Sequence, residues 1–396
     1  MVGDPPASRL KSLLIQRHGR KSPMDFSLNQ DNLTLQESAR TFLEKEISLS
    51  RVLVPGATVA DADYAGNWEK IAPLGWQGLV VAEEYGGLGL SCIDLVMILG
   101  AMGRTLAPSP FLGTLFGSWA LQKAGSDAQK KRLLPAVVEG RSKFALAVAE
   151  SNGSTEGNGR EAVMRRRGAE CRITGVKSFV IDAASADWLV VAALDETAGR
   201  RSFFLVDAKQ DGVEVDLLPW RDVTRQVCDV RFKEASAEPL EMDGDALWPW
   251  LHDRILLAIA AENAEGMRYV LELTVDYAKS RVAFGRPIGT YQAIKHALAD
   301  MLGLAECSTA ATLYSAWSLS EDNSGASLSA AMAKAYTSDA YVSVTHRSTQ
   351  IFGAIGFTWE MKNHLYYKRA RANAELFGNA RAHRSRIMDM VEKKAA

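Results

Sequence analysis

The sequence predicts an α+β chain in which a β-rich module separates two helical ones. Three observations carry that expectation. Apolar spacing is helical up to about residue 140, shifts to short β-rich runs through the middle, and returns to a helical period that lasts to the end. The 396 residues exceed what one domain ordinarily needs, so two or three domains are expected. Hydrophobic residues make up 47% and charged residues 23%, the balance of an ordinary globular protein. That balance excludes disorder, collagen and a small disulfide scaffold as descriptions of the whole.

The chain divides into four stretches, taken as 1–23, 24–140, 141–245 and 246–396. The first, with Pro5-Pro6 and a basic run from Arg17 to Lys21, reads as a flexible arm or the product of an upstream start codon. Its amphipathic segment Leu10 to Ile15 lacks the long apolar stretch of a secretory signal. In the second, Leu33, Leu35, Ala39, Phe42 and Leu43 recur at threes and fours, and Thr34 with Glu37 fits a capping box at a helix start. Gly86-Gly87, Gly89, Pro108 and Pro110 punctuate this stretch into several moderate helices.

The third stretch carries β-rich runs at Phe144 to Val148, Asp187 to Val191, Phe203 to Val206 and Val213 to Val215. Turn residues such as Thr197-Ala198-Gly199-Arg200 bound them. A small antiparallel barrel or sandwich is the expected form. Helices return through Leu251 to Lys279, Tyr291 to Ser318 and Ser327 to Phe352. No internal repeat or low-complexity tract is visible.

Charge and cysteine usage narrow the function classes. Forty-six basic against 47 acidic side chains leave a net charge of −1, which provides no global field for nucleic acid or an anionic membrane. Arg165-Arg166-Arg167 falls in an expected β-hairpin and reads as a solvated face. The four cysteines, Cys92, Cys171, Cys228 and Cys307, form no CxxC pair and suit a reducing compartment. His296 and His346 have no metal-ligand spacing. No apolar run approaches the roughly 20 residues that span a bilayer, and a cytoplasmic location is expected.

The most informative stretch runs from Tyr277 to His296. A long helix ends at Arg281, meets the turn Phe284-Gly285-Arg286-Pro287-Ile288-Gly289, and a new helix opens near Gln292. A guanidinium beside a helix N-terminus suits a phosphate, and equally suits a helix corner with a solvated arginine. Here the wording resembles the Arg-x-x-Phe-Gly-x-Pro-Ile signature of the acyl-CoA dehydrogenase family. The block Gln350-Ile351-Phe352-Gly353-Ala354-Ile355-Gly356 is similar to that family's later Gln-x-x-Gly-Gly-x-Gly motif, and it continues to His364 through Ala370. Leu74-Gly75-Trp76 through Gly89 supplies a third match. Together they cover the chain from about Met24 onward.

The resemblance implies an N-terminal helical domain, a middle β-barrel and a C-terminal four-helix bundle. It also implies FAD, an acyl-CoA substrate, and α,β-dehydrogenation by proton abstraction with hydride transfer to the flavin. Arg281, Phe284, Gln292, Gln350 and Gly353 would hold the tail of a neighbouring subunit's FAD, so a dimer or tetramer is implied. Electron-transfer flavoprotein or a similar acceptor would take the electrons, and no nucleic acid or membrane partner is implied.

The sequence departs from the family where its own flavin ring and base would lie. The usual catalytic glutamate is Phe377, in Leu376-Phe377-Gly378-Asn379, with Glu375 two positions away. The alternative family position falls at Ile255, with Asp253 two residues earlier as the candidate base or as a helix-dipole partner. Asp253 and Arg281 would stand about 42 Å apart on one helix. The flavin loop reads Ala149-Glu150-Ser151-Asn152-Gly153-Ser154-Thr155-Glu156, and the usual Trp-Ile-Thr is Phe179-Val180-Ile181. Thr155 and Phe179 remain candidate flavin contacts. Tail motifs kept beside eroded ring motifs suggest one subunit of an unlike pair. The competing reading is a non-catalytic subunit that completes a partner's FAD site; a flavin monooxygenase on the same fold is a further alternative.

Overall fold

The computed structural model describes residues 27–155, 161–168 and 170–395. The 1–23 arm and Glu156 lie outside the described residues. Helices α1 (Gln30–Glu46), α2 (Tyr64–Ile71), α3 (Cys92–Thr105), α4 (Phe111–Ala124) and α5 (Asp127–Val138) form the first layer. The predicted cap at Thr34 and Glu37 is corrected by the structure. Helix α1 starts five residues earlier in a box closed by Asn29 and Asn32, each accepting the other's backbone N–H at 2.9 and 3.2 Å. Thr34 lies inside the helix and donates to the Gln30 carbonyl.

Seven strands follow: β1 (Phe144–Ala147), β2 (Ala162–Arg167), β3 (Glu170–Ile181), β4 (Trp188–Asp195), β5 (Arg200–Asp207), β6 (Val213–Leu217) and β7 (Val227–Pro239). Strands β4, β2, β3, β7 and β5 pair in that order, and β5 pairs back onto β4, so five strands close a barrel-like ring. The pairing is not purely antiparallel, because β1 and β2 both run parallel along one edge of β4. Inward side chains such as Ile173, Leu189, Val191, Phe204 and Val230 fill its interior.

Helix α6 (Gly244–Ser280) is 37 residues long and runs about 55 Å through the molecule. The two-residue strands β8 (Val282–Ala283) and β9 (Arg286–Pro287) form a small hairpin at its end. Helices α7 (Gln292–Ser320), α8 (Ala326–Phe352), α9 (Asn363–Glu375) and α10 (Ala380–Ala395) complete the C-terminal part. The largest core joins α3 and α4 to the first half of α6, through residues such as Leu95, Leu99, Leu115, Leu251 and Ile255.

One buried ionic cluster ties these parts together. The connection between β6 and β7 carries Asp222, Thr224 and Arg225 into the interior. Arg225 donates to both carboxylate oxygens of Glu262 on α6 at 2.7 Å and to Asn373 on α9 at 2.8 Å. Arg369 on α9 donates to Asp222 and, at 2.7 Å, to the Thr224 hydroxyl. Tyr64 of α2 reaches the same loop, accepting from the Gln226 N–H. Two guanidinium groups therefore face two carboxylates. Burial alone would raise the Asp222 carboxyl, yet Arg369 and Arg225 hold it below its ordinary range.

Removing one member leaves a buried, uncompensated charge. Replacing Arg225 with Met is expected to cost about 3–5 kcal/mol of unfolding free energy in urea titrations. A loss under about 1 kcal/mol would contradict the role given to this cluster.

Candidate functional site

A cavity of about 490 Å³ opens between the barrel and the turn joining α9 to α10. Its barrel side is the loop from Val148 to Thr155, with Phe179 of β3 and Trp220 of the β6–β7 connection. Its other wall is Glu375 to Asn379, with Ala382. The structure thus brings Thr155 and Phe179, both singled out from the sequence, to one cavity with Phe377.

The loop keeps its shape through buried polar contacts. Lys177 of β3 is fully buried and reaches Glu150 at 2.6 Å. Burial lowers the Lys177 amine despite that partner. Glu150 in turn accepts from the Glu161 N–H at 3.1 Å, and the Thr155 carbonyl accepts from Arg201 at 3.1 Å. Phe179 and Trp220 stand with ring centroids 6.1 Å apart, two apolar faces at the cavity edge. These contacts hold the loop in place.

Phe377 packs edge-on against Phe116 of α4 at 5.7 Å and carries no group that takes a proton. Among the described residues, Glu375 is the one carboxylate on the cavity wall; it is exposed and accepts from Asn379 at 3.3 Å. Asp253 requires a correction. The structure does not bring it to the cavity: it is buried on α6, one oxygen paired with Arg386 at 2.6 Å and the other accepting from the Ser327 hydroxyl. With both oxygens engaged away from the wall, it is not placed to take a substrate proton.

The second group of sequence candidates gathers at the far end of α6. Arg281 caps that helix and Phe284 tips the β8–β9 hairpin at 96% exposure. Gln292 opens α7, and Gln350 and Gly353 close α8. Tyr277 stacks on Phe352 at 4.1 Å, which holds the ends of α6 and α8 side by side. Arg281, Phe284, Gln292, Gln350 and Gly353 all face solvent. About 42 Å of helix separates them from the part of α6 under the cavity. One flavin dinucleotide does not bridge that distance within a chain.

The residues fit the two ends of such a dinucleotide separately. Aromatic faces and a hydroxyl-bearing loop suit a ring system, while a guanidinium and two amides at helix ends suit a pyrophosphate and its tail. Backbone strain marks both groups. Phe179, Phe284 and Phe377 have φ of 54°, 52° and 56°, a left-handed region that non-glycine residues avoid. Such strain concentrates at functional positions.

Sequence reasoning missed Trp220, Lys334, His252 and His383, which surround the cavity wall. Lys334 is fully buried on α8 and donates to the Gly378 carbonyl at 2.9 Å. Its place in the small-residue run Ala330 to Ala335 was the available signal, since a lysine in such a face needs an internal partner. His252 and His383 show no such pattern. Arg165 and Arg167 of β2 pair with Glu196 and Glu234, as expected for a solvated face. Among the described residues no cluster of three metal-ligating side chains occurs, and no helix is long and apolar enough to cross a membrane.

Comparison with known proteins places these observations in context. Residues 29–141 match the family described as Acyl-CoA dehydrogenase, N-terminal domain, and residues 251–391 match Acyl-CoA dehydrogenase, C-terminal domain. The chain is 30% identical over 364 residues to acyl-CoA dehydrogenase IpdE2 of Mycolicibacterium smegmatis, covering 91% of this chain and 98% of that protein. Among solved structures it is similar to the Tcur3481-Tcur3483 steroid ACAD, with a TM-score of 0.83, 27% identity and coverage of 93% and 99%. The ChsE4-ChsE5 complex from Mycobacterium tuberculosis shares the fold, with a TM-score of 0.81, 24% identity and coverage of 93% and 99%.

Lys334 gives the site region a measurable titration. Burial lowers its amine from 10.5 to about 7. Between those values the unfolded chain holds a proton that the folded chain has shed, so the Lys334 contribution to stability rises as pH rises from about 7 to 10.5. Urea titrations at pH 7 and pH 9 are expected to show a larger gain for the wild type than for Lys334→Met. An equal gain in both would contradict the assignment.

Proposed function

The chain belongs to the acyl-CoA dehydrogenase family, and from that premise we propose that it serves FAD-dependent α,β-dehydrogenation of an acyl-CoA thioester as one subunit of an unlike pair. The observation that carries this reading is Phe377 on the cavity wall together with an exposed set of Arg281, Phe284, Gln292, Gln350 and Gly353 at the far end of α6. A chain so built can hold the tail of a neighbour's dinucleotide while lacking the usual carboxylate in its own cavity.

FAD, when bound, accepts the hydride leaving the β carbon. Removal of the α proton needs a carboxylate within hydrogen-bond reach, and the partner chain supplies it. In this chain Arg281 would neutralise pyrophosphate charge, and the Gln292 and Gln350 amides would orient the tail. Thr155, Phe179 and Trp220 line this subunit's own cavity, which the reading leaves without a flavin ring. Names among the similar proteins, a steroid ACAD and a two-chain complex, favour a bulky acyl group and an unlike partner. Electron-transfer flavoprotein or a similar acceptor would reoxidise the flavin.

In its strict form the reading makes this chain a non-catalytic subunit whose own cavity turns nothing over. Its support is that Phe377 is inert and Asp253 is tied to Arg386, leaving Glu375 as the one carboxylate on the wall among the described residues.

Two experiments test the reading, one against a self-sufficient homo-oligomer and one against a working cavity in this chain. Purified alone, the chain is expected to hold little flavin, rising to roughly one FAD per two chains when co-expressed with a second acyl-CoA dehydrogenase-like chain. About one FAD per chain in isolation would instead indicate a self-sufficient homo-oligomer. In the co-purified pair, Glu375→Gln is expected to leave acyl-CoA oxidation unchanged. A fall of about 100-fold would make Glu375 the base of a working cavity in this chain.

A further inference from the structure

The wall that carries Phe377 is held by an unusual set of donors. The Phe377 carbonyl accepts from His252 Nε2 at 3.2 Å and lies 3.1 Å from His383 Nε2. The next carbonyl, of Gly378, lies 3.1 Å from His383 Nε2 and accepts from Lys334 Nζ at 2.9 Å. Both residues sit at positive φ, 56° and 97°. At Gly378 a Cβ would stand 3.0 Å from His383 Nε2, so the approach of that imidazole requires glycine as much as the backbone angle does.

Behind His252 the contacts continue in series. With Nε2–H given to the Phe377 carbonyl, Nδ1 is left to accept from Arg386 Nη1 at 3.4 Å. The other terminal nitrogen of Arg386 donates to Asp253 at 2.6 Å, and Asp253 accepts from the Ser327 hydroxyl. Trp248 stacks on the His252 ring at 4.8 Å and fixes its plane. Burial, with the Arg386 charge, pushes His252 down to about 3, so the imidazole is neutral and holds one tautomer at working pH.

We propose that Asp253, Arg386 and His252 act in series as positioning residues that fix the Phe377 carbonyl, and through it the cavity wall from Leu376 to Asn379. Asp253, the sequence's candidate base, thereby serves the site from behind. An acid orients a guanidinium, the guanidinium fixes an imidazole tautomer, and the imidazole holds a strained peptide. The series does not rest on the proposed function, because it concerns the wall and not what occupies the cavity.

Glutamine tests the chain of contacts without dismantling it, since its amide nitrogen can replace Nε2–H and its oxygen can replace Nδ1. Phenylalanine keeps the stacked ring and removes both. Hydrogen exchange of the amides of residues 376–380, followed by mass spectrometry on the full chain without ligand, is expected to accelerate about tenfold in His252→Phe. His252→Gln is expected to stay within about twofold of wild type, and Asp253→Asn to fall between the two. Unchanged exchange in His252→Phe would overturn the proposal, as would equal acceleration in the Gln and Phe variants. Acceleration spread evenly along α6 would also overturn it, because it would report general loosening.

The exchange readout is taken without ligand, so it decides the positioning claim whether or not flavin occupies this cavity in the assembled pair.

Discussion

The structure depends on two arginines taken out of water. Arg225 enters from the barrel and Arg369 from α9, and each meets an acid from another part of the chain. Neither charge is tolerable alone in that interior, because desolvation costs several kcal/mol per ion unless a partner and hydrogen bonds return it. The β6–β7 connection must therefore fold inward, and α6 and α9 must approach it. Trp220 rides on the same connection, so the ionic cluster that joins helices to barrel also sets one edge of the cavity. Architecture and site share a single constraint.

How much of this was legible follows from what a linear pattern records. Helical period and β-rich runs report local amphipathicity, so the order helix, strand, helix was readable, as were α7 and α8 to within two residues and α6 except for its first two turns. The start of α1 was misplaced because Asn29 and Asn32 cap it as a pair, while Thr34 and Glu37 carry the commoner signature inside the helix. The parallel pairing of β1 and β2 with β4 was not readable, because it joins strands tens of residues apart. At the site, Thr155 and Phe179 were recognisable from motif wording, whereas Trp220, His252 and His383 gain their roles only through burial. Asp253 shows the limit most clearly: its position beside a family site suggested a base, and only packing reveals the Arg386 and Ser327 that occupy it.

Three strained backbone positions fall at the candidate site, while Leu106, Asp182, Glu234 and Asp322 carry positive φ elsewhere. Phe179, Phe284 and Phe377 each adopt a left-handed backbone at a cost of about 1–2 kcal/mol. Two flank the cavity and the third tips the exposed hairpin. Phe377 is held there by His252 and His383, and Phe179 lies on a strand irregularity between Lys177 and Val180. Such conformations persist only where surrounding contacts over-determine them, as they do at the cavity wall. The strained backbone at 377 thus presents an aromatic side chain, with no titratable group, to the cavity.

The account's central claim concerns where one cofactor lies, so its most direct test is the position of FAD in a crystal or cryo-EM structure of the assembled pair. The account predicts the pyrophosphate and adenine against Arg281, Gln292 and Gln350 of this chain, with the flavin ring in the partner's cavity beside a partner carboxylate. A ring fully occupied against Thr155 and Phe179 of this chain, with its tail on a second copy, would contradict it.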